Sequence, residues 1–324
     1  MTKHTYVSIF ILTGIVLLLQ VCNKSNIEEY DSYEMTLKLS DYNVYAGNAS
    51  DLIPEDDYKL YELSSILFTD HAEKQRLVKI PVGTKIVATD DGLMIFPEGT
   101  IIIKTFYYYK DKSQVSKVKN IIETRLLIKS DNNWIVETYK WNEAQTDADL
   151  ITSGYEQTVN WIDENRLPNV ITYRIPSNTE CITCHQSNDA IIPIGPKTRN
   201  LNFDITVDGV TQNQLSYLYG EGVLDAMSPS SFSTLPDYTN TGLSEEKRAR
   251  AYLEMNCAHC HTAGGLADYK TLRLSYETTL LNSKIQEFKS DIVDKMETGA
   301  MPKAGTTTLD EKGIDLIITY INML

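Results

Sequence analysis

The pentapeptide pattern Cys-x-x-Cys-His occurs twice in this chain of 324 residues, at positions 181–185 and 257–261. The pattern is typical of haem c attachment, in which two thiols form thioethers with the porphyrin vinyl groups and the adjacent histidine binds the iron. We therefore predict two covalently attached haem c groups. The residues that would hold them are Cys181, Cys184, Cys257 and Cys260, with His185 and His261 as proximal iron ligands.

Repeated cysteine pairs have two other interpretations, a four-cysteine zinc site and a pair of disulfides. Neither of them requires a histidine after the second cysteine of each pair. Thiols three positions apart usually form a redox-active motif and not a structural disulfide. Haem attachment is the interpretation that accounts for the histidines as well as the thiols.

The N-terminus has a short charged stretch and then an apolar run from 6 to 19, which is typical of a secretory signal peptide. Cys22 follows at the position of the lipidated cysteine in a bacterial lipoprotein signal, although Val21 replaces the usual small residue. A plain cleaved signal and an uncleaved anchor are the alternatives, and the run is short for a full membrane span. We expect a lipid-anchored protein exported to the bacterial periplasm or outer membrane.

The acidic composition restricts the choice of partner. The formal net charge is −14, which argues against nucleic acid or an anionic membrane face. We expect the partners to be redox proteins of the cell envelope that present a basic docking patch.

The chain divides into segments of different composition. After the signal at 1–22, a tether is predicted at 23–38, a β-rich haem domain at 39–227, a linker at 228–242 and a cytochrome c domain at 243–324. The linker assignment depends on its content of Ser, Pro, Thr and Asn. The predicted fold class is α+β, with an antiparallel β-rich domain that carries one motif and an all-α class I cytochrome c domain that carries the other.

The β-rich domain is predicted from runs of β-branched and aromatic residues that are separated by turn residues. The predicted strands are 76–80, 84–88, 93–96, 100–109, 121–129, 134–141, 155–162 and 170–175. A short helix is predicted before them, at 59–68.

The C-terminal segment begins with Ser244, a good helix N-cap followed by two glutamates in the first turn. A helix, the second motif, a Met-Pro pair and a terminal helix follow one another, and this layout resembles that of single-haem cytochrome c domains. The resemblance implies that Met301 is the distal iron ligand. Met296, on a predicted helix, is the alternative.

Several longer phrases, at 67–70, 96–106, 141–148 and 194–202, resemble a family of exported bacterial di-haem c-type cytochromes. The resemblance covers the chain from about residue 39 and implies two covalent haems and export, without a known substrate. The β-rich part is also similar to P460-type cytochromes, in which the iron has an open side and a lysine is linked to the porphyrin.

The distal side of the first haem is not determined by spacing. Of the five histidines, His71 is the one left free to bind this iron. Met227, Lys104 and an open iron face are the alternatives. If both irons have six ligands, the protein is an electron carrier. An open face would instead favour a haem enzyme that acts on peroxide or a small nitrogen compound.

Overall fold

The computed structural model describes residues 33–114, 118–302 and 305–324. The predicted signal, Cys22 and most of the tether lie outside these residues. Met35–Leu324 form one compact unit. Across the described ranges, no helix has the length and apolar character needed to cross a membrane.

The centre of residues 39–227, here called the first region, is a six-stranded antiparallel sheet with its strands in chain order. The strands are β1 (Lys59–Leu60), β2 (Glu73–Lys79), β3 (Ile101–Tyr109), β4 (Lys119–Ser130), β5 (Asn133–Trp141) and β6 (Ala148–Ile151). Asp131 and Asn132 join β4 to β5 with φ of 53° and 59°. Positive φ at both positions is what a two-residue type I′ hairpin requires.

A second hairpin packs on this sheet and leads to the first motif. Its strands are β7 (Tyr155–Ile162) and β8 (Pro168–Ile175), followed by helix α1 (Asn178–His185). Four aromatic side chains form much of the core between hairpin and sheet: Phe106, Tyr108, Trp161 and Tyr173. The remaining elements of the region are β9 (Gln186–Ser187), β10 (Ala190–Ile191), α2 (Thr198–Leu201), β11 (Asp204–Val207), β12 (Val210–Asn213) and α3 (Gln214–Gly220).

Residues 243–324, here called the second region, are helical. The helices are α4 (Glu245–Asn256), α5 (Leu280–Ser283), α6 (Lys289–Glu297) and α7 (Glu311–Met323). Apolar side chains of α4 and α7, including Leu253, Ile317 and Tyr320, share one core. The predicted α+β class, β-rich first and helical afterwards, is confirmed.

Two local predictions are wrong. Residues 59–68 form strand β1 and a loop instead of a helix, because the backbone continues to pair with β2, with Tyr61 N donating to Arg76 O at 3.1 Å. The predicted strands 84–88 and 93–96 make only isolated bridges, such as Val87 with Ile95. Neither segment pairs with a long strand, so a composition rich in β-forming residues is not enough to place it in the sheet.

A buried carboxylate joins the two regions. Glu254 on α4 accepts from Lys197 at 2.6 Å and from Arg199 at 3.0 Å, and also from Tyr276 N at 2.8 Å. These cations lower the pKa of Glu254 against the opposing effect of burial. The segment 228–242 also packs here, since Leu235 is fully buried and its N–H donates to Arg199 O at 2.8 Å.

Candidate haem centre

The first motif lies on α1. This helix begins with a capping box, in which the Ser177 hydroxyl accepts from Glu180 N and the Glu180 carboxylate accepts from Ser177 N. Cys181, Cys184 and His185 are at spacings of three and four positions, so they share one face of the helix. The capping box fixes the start of α1, and the start of the helix determines the direction in which the two thiols and the imidazole point.

His185 is oriented for metal binding. Its Nδ1 lies 2.7 Å from Ile192 O, so Nδ1 donates to this carbonyl and Nε2 keeps its lone pair. Burial lowers the pKa of His185 to about 4. The imidazole is thus neutral at physiological pH, which is the form that binds a metal ion.

The second motif follows α4 as a single turn. Ser244 caps this helix by accepting from Lys247 N, as predicted, and Cys257 is the C-cap residue. The turn closes when His261 N donates to Cys257 O at 3.0 Å. Burial lowers the pKa of His261, and its Nδ1 is a buried nitrogen without a hydrogen-bond partner in the described part of the chain.

Both motifs open into one cavity of about 650 Å³. All four motif cysteines, both predicted proximal histidines and Met301 line it. None of these four cysteines forms a disulfide. Among the described residues, no group of three or more His, Cys, Asp or Glu side chains is arranged to hold a metal ion, so these thiols are not gathered into a four-cysteine zinc site.

The two motifs are in contact within this cavity. Hydrogen bonding to Cys260, together with burial, raises the pKa of the Cys184 thiol to about 12. The following loops also meet, because Asn188 N donates to Gly264 O at 2.6 Å. A Cβ at Gly264 would lie 2.6 Å from Asn188 Oδ1, so this approach depends on glycine. Motifs 76 positions apart in sequence are therefore neighbours in space.

The structure separates the candidates for the distal ligands. Met301 and Met296 both line the cavity, so either sulfur can approach the second motif. His71 is exposed, lies in a turn with its ring against Phe68 at 5.2 Å, and is outside the residues that line the cavity. Met227 packs against a different core, between the sheet and α3.

Lys104 does line the cavity, in the middle of a row of cations. Arg76 on β2, Lys104 on β3 and Arg125 on β4 are paired directly across the sheet, so all three side chains leave the same face. Glu62 accepts from Arg76 at 3.0 Å, and Glu123 accepts from Arg125 at 2.5 Å. Burial and the neighbouring Arg76 lower the pKa of Lys104 well below its ordinary value.

The sequence reasoning missed Arg76 and Arg125. A signal was present, because Arg76 begins one predicted strand and Arg125 lies within another, where a charged side chain is unusual in a buried sheet. Their alignment depends on register, which composition does not give. In the structure, Arg76 is 4% exposed and its Nε has no hydrogen-bond partner among the described residues.

These residues fit haem c. Paired thiols, an oriented imidazole and an apolar lining suit the porphyrin and its iron. The row of cations suits the negatively charged propionates, and the unpartnered Arg76 Nε is a donor that such a carboxylate would satisfy.

A family model matches the C-terminal part of the chain. Residues 244–321 match the family described as "Cytochrome C oxidase, cbb3-type, subunit III". No curated protein and no solved structure matches the chain. The matched segment supports a cytochrome c domain at the C-terminus, with covalently bound haem c and a role in haem-based electron transfer.

Proposed function

We propose that this chain is an exported di-haem c-type cytochrome that carries single electrons in the bacterial cell envelope. The observation that carries this proposal is the shared cavity, in which Cys184 of one motif is hydrogen-bonded to Cys260 of the other. If a porphyrin were attached through each of these two sulfurs, the two porphyrin edges would be close enough for direct electron exchange. When bound, each haem iron supplies a one-electron couple.

In this proposal the chain's own residues hold and tune two such groups. Cys181 and Cys184 bind the first haem and Cys257 and Cys260 the second. His185 and His261 are the proximal ligands, and Met301 is the distal ligand of the second iron. His185 Nδ1 keeps its proton and donates it in a hydrogen bond to Ile192 O, which would leave Nε2 free to bind the iron.

The row of cations favours a second candidate function, that of a haem enzyme with an open iron face at the first motif. Arg76, Lys104 and Arg125 converge on the first motif's part of the cavity, and such a row would attract a small anion to an iron with an open face. The Lys104 amine could instead bind the iron itself. Of the three protein candidates for that ligand, Lys104 is the one that lines the cavity, whereas His71 and Met227 lie elsewhere.

Electron paramagnetic resonance of the oxidised protein, integrated against its haem content, tests these alternatives. For the electron carrier we expect two low-spin signals of equal intensity. In a Lys104→Leu variant, which has no ligating atom at this position, conversion of one of them to high spin would identify the lysine as the first iron's ligand. A high-spin signal from half of the haem in the unmodified protein would favour the open-face enzyme over the carrier.

We also propose that a lipid on Cys22 holds the protein at the membrane, where its acidic surface meets basic redox partners. Replacing Cys22 by alanine should then move the protein from the membrane pellet to the soluble envelope fraction. Fractionation followed by immunoblotting measures this. If the variant continues to pellet with membranes, as the unmodified protein would, the lipid anchor is excluded.

A further inference from the structure

A buried aspartate of the first region binds a loop of the second region. Asp70 is 2% exposed, and its carboxylate accepts hydrogen bonds from two consecutive threonines. The backbone N–H groups of Thr307 and Thr308 donate at 2.8 Å and 3.1 Å, and their hydroxyls donate at 2.8 Å and 3.0 Å. Four donors on one ionised carboxylate form a strong, charge-assisted contact.

The first region holds Asp70 firmly in this position. The residue has a left-handed backbone with φ of 51°, and its carbonyl accepts from the Tyr108 hydroxyl at 2.5 Å. Tyr108 is fully buried in the core between the sheet and the second hairpin. The carboxylate is therefore placed by the sheet of the first region.

The threonines belong to the segment that leads from Met301 to α7. Three contacts hold the described residues of this segment. Met301 N donates to Lys295 O at 3.1 Å at one end, Asp70 binds the middle, and Asp310 caps α7 by accepting from Gly313 N at 3.0 Å at the other end. Met301, Thr307 and Thr308 all line the cavity. Of these three contacts, the middle one comes from the first region.

We propose that Asp70 is a positioning residue for the Met301 loop, so that the first region holds the distal side of the second haem in place. This inference rests on the proposed function, because it takes Met301 as the second iron's ligand. Without the carboxylate, the threonine N–H groups and hydroxyls lose their acceptor, and the loop is free to move Met301 away from the metal.

The test is an Asp70→Asn variant of the full-length, haem-loaded protein. An amide keeps the size of the side chain but has one acceptor oxygen, and its NH₂ group faces N–H donors. We expect a weaker sulfur-to-iron charge-transfer band in the oxidised protein. We also expect a tenfold shift of the second haem's redox equilibrium towards the ferric form, which corresponds to about 59 mV for a one-electron couple.

A matched control is Ser65→Ala, in the same chain segment. Ser65 joins the first region to the segment 228–242 that leads into the second, since its hydroxyl donates to Pro236 O at 2.7 Å and accepts from Tyr238 N at 3.1 Å. This variant should leave the band and the potential unchanged. An equal shift in both variants would show that loosened docking, not positioning, is responsible, and would overturn the proposal.

Thr308→Val is the second variant, for use if Asp70→Asn does not fold. It removes one hydroxyl donor to Asp70 and should shift the band and the potential in the same direction by less. If both variants fold and bind haem but leave the charge-transfer band and the potential unchanged, the role of Asp70 is overturned and the proposed function still stands. An unmodified protein that lacks the second haem would overturn the proposed function itself.

Discussion

Replacing Met301 by alanine is expected to lower the reduction potential of the second haem by far more than about 60 mV, the shift that changes a one-electron equilibrium tenfold. A thioether opposite an imidazole stabilises the ferrous state relative to a second imidazole or to water, and axial ligands together tune haem potentials over about 0.8 V. A redox titration that resolves the two haems measures the shift.

Met296→Ala is the matched control for this prediction, since Met296 also lines the cavity but lies on α6. It should leave the potential of the second haem unchanged. An unchanged titration of the Met301 variant, together with a lowered potential in the Met296 variant, would reassign the ligand to Met296.

Replacing Cys181 and Cys184 together by alanine should reduce the haem content from two per chain to one. Both thioethers of the first haem are lost, whereas the second motif keeps its thiols. Intact-protein mass spectrometry and haem quantification measure the change, with the double Cys257→Ala and Cys260→Ala variant as the matched counterpart.

The same two variants show how far the haems depend on each other. Each should retain the optical spectrum of its remaining haem, and fast electron exchange between haems should be absent. An unmodified protein that carries a single haem per chain would contradict the di-haem assignment directly.

The features that sequence predicted well depend on local chemistry. Ser244 begins α4 because a serine hydroxyl satisfies a free backbone N–H, and this needs only a few neighbouring residues. Most of the long strands were also predicted, because the runs of β-branched and aromatic residues continue through them.

The features that it missed depend on pairing between distant segments. Tyr61 is extended because its backbone hydrogen-bonds to β2, and the residues beside Tyr61 in sequence give no signal of this pairing. The row of Arg76, Lys104 and Arg125 exists only once three strands have their register. The contact of Cys184 with Cys260 likewise has no local signal, so the sequence predicted both motifs and not their shared cavity.

The contact between the motifs also bears on the order of assembly. Cys181 is 6% exposed in the folded chain, whereas Cys184 is half-buried and hydrogen-bonded to Cys260. The Cys181 thiol is therefore poorly accessible from solvent to any machinery that must bring a porphyrin to it. If haem c is attached at the first motif, as proposed, we expect attachment to precede the final packing around Cys181, so that maturation and folding would form a single ordered process.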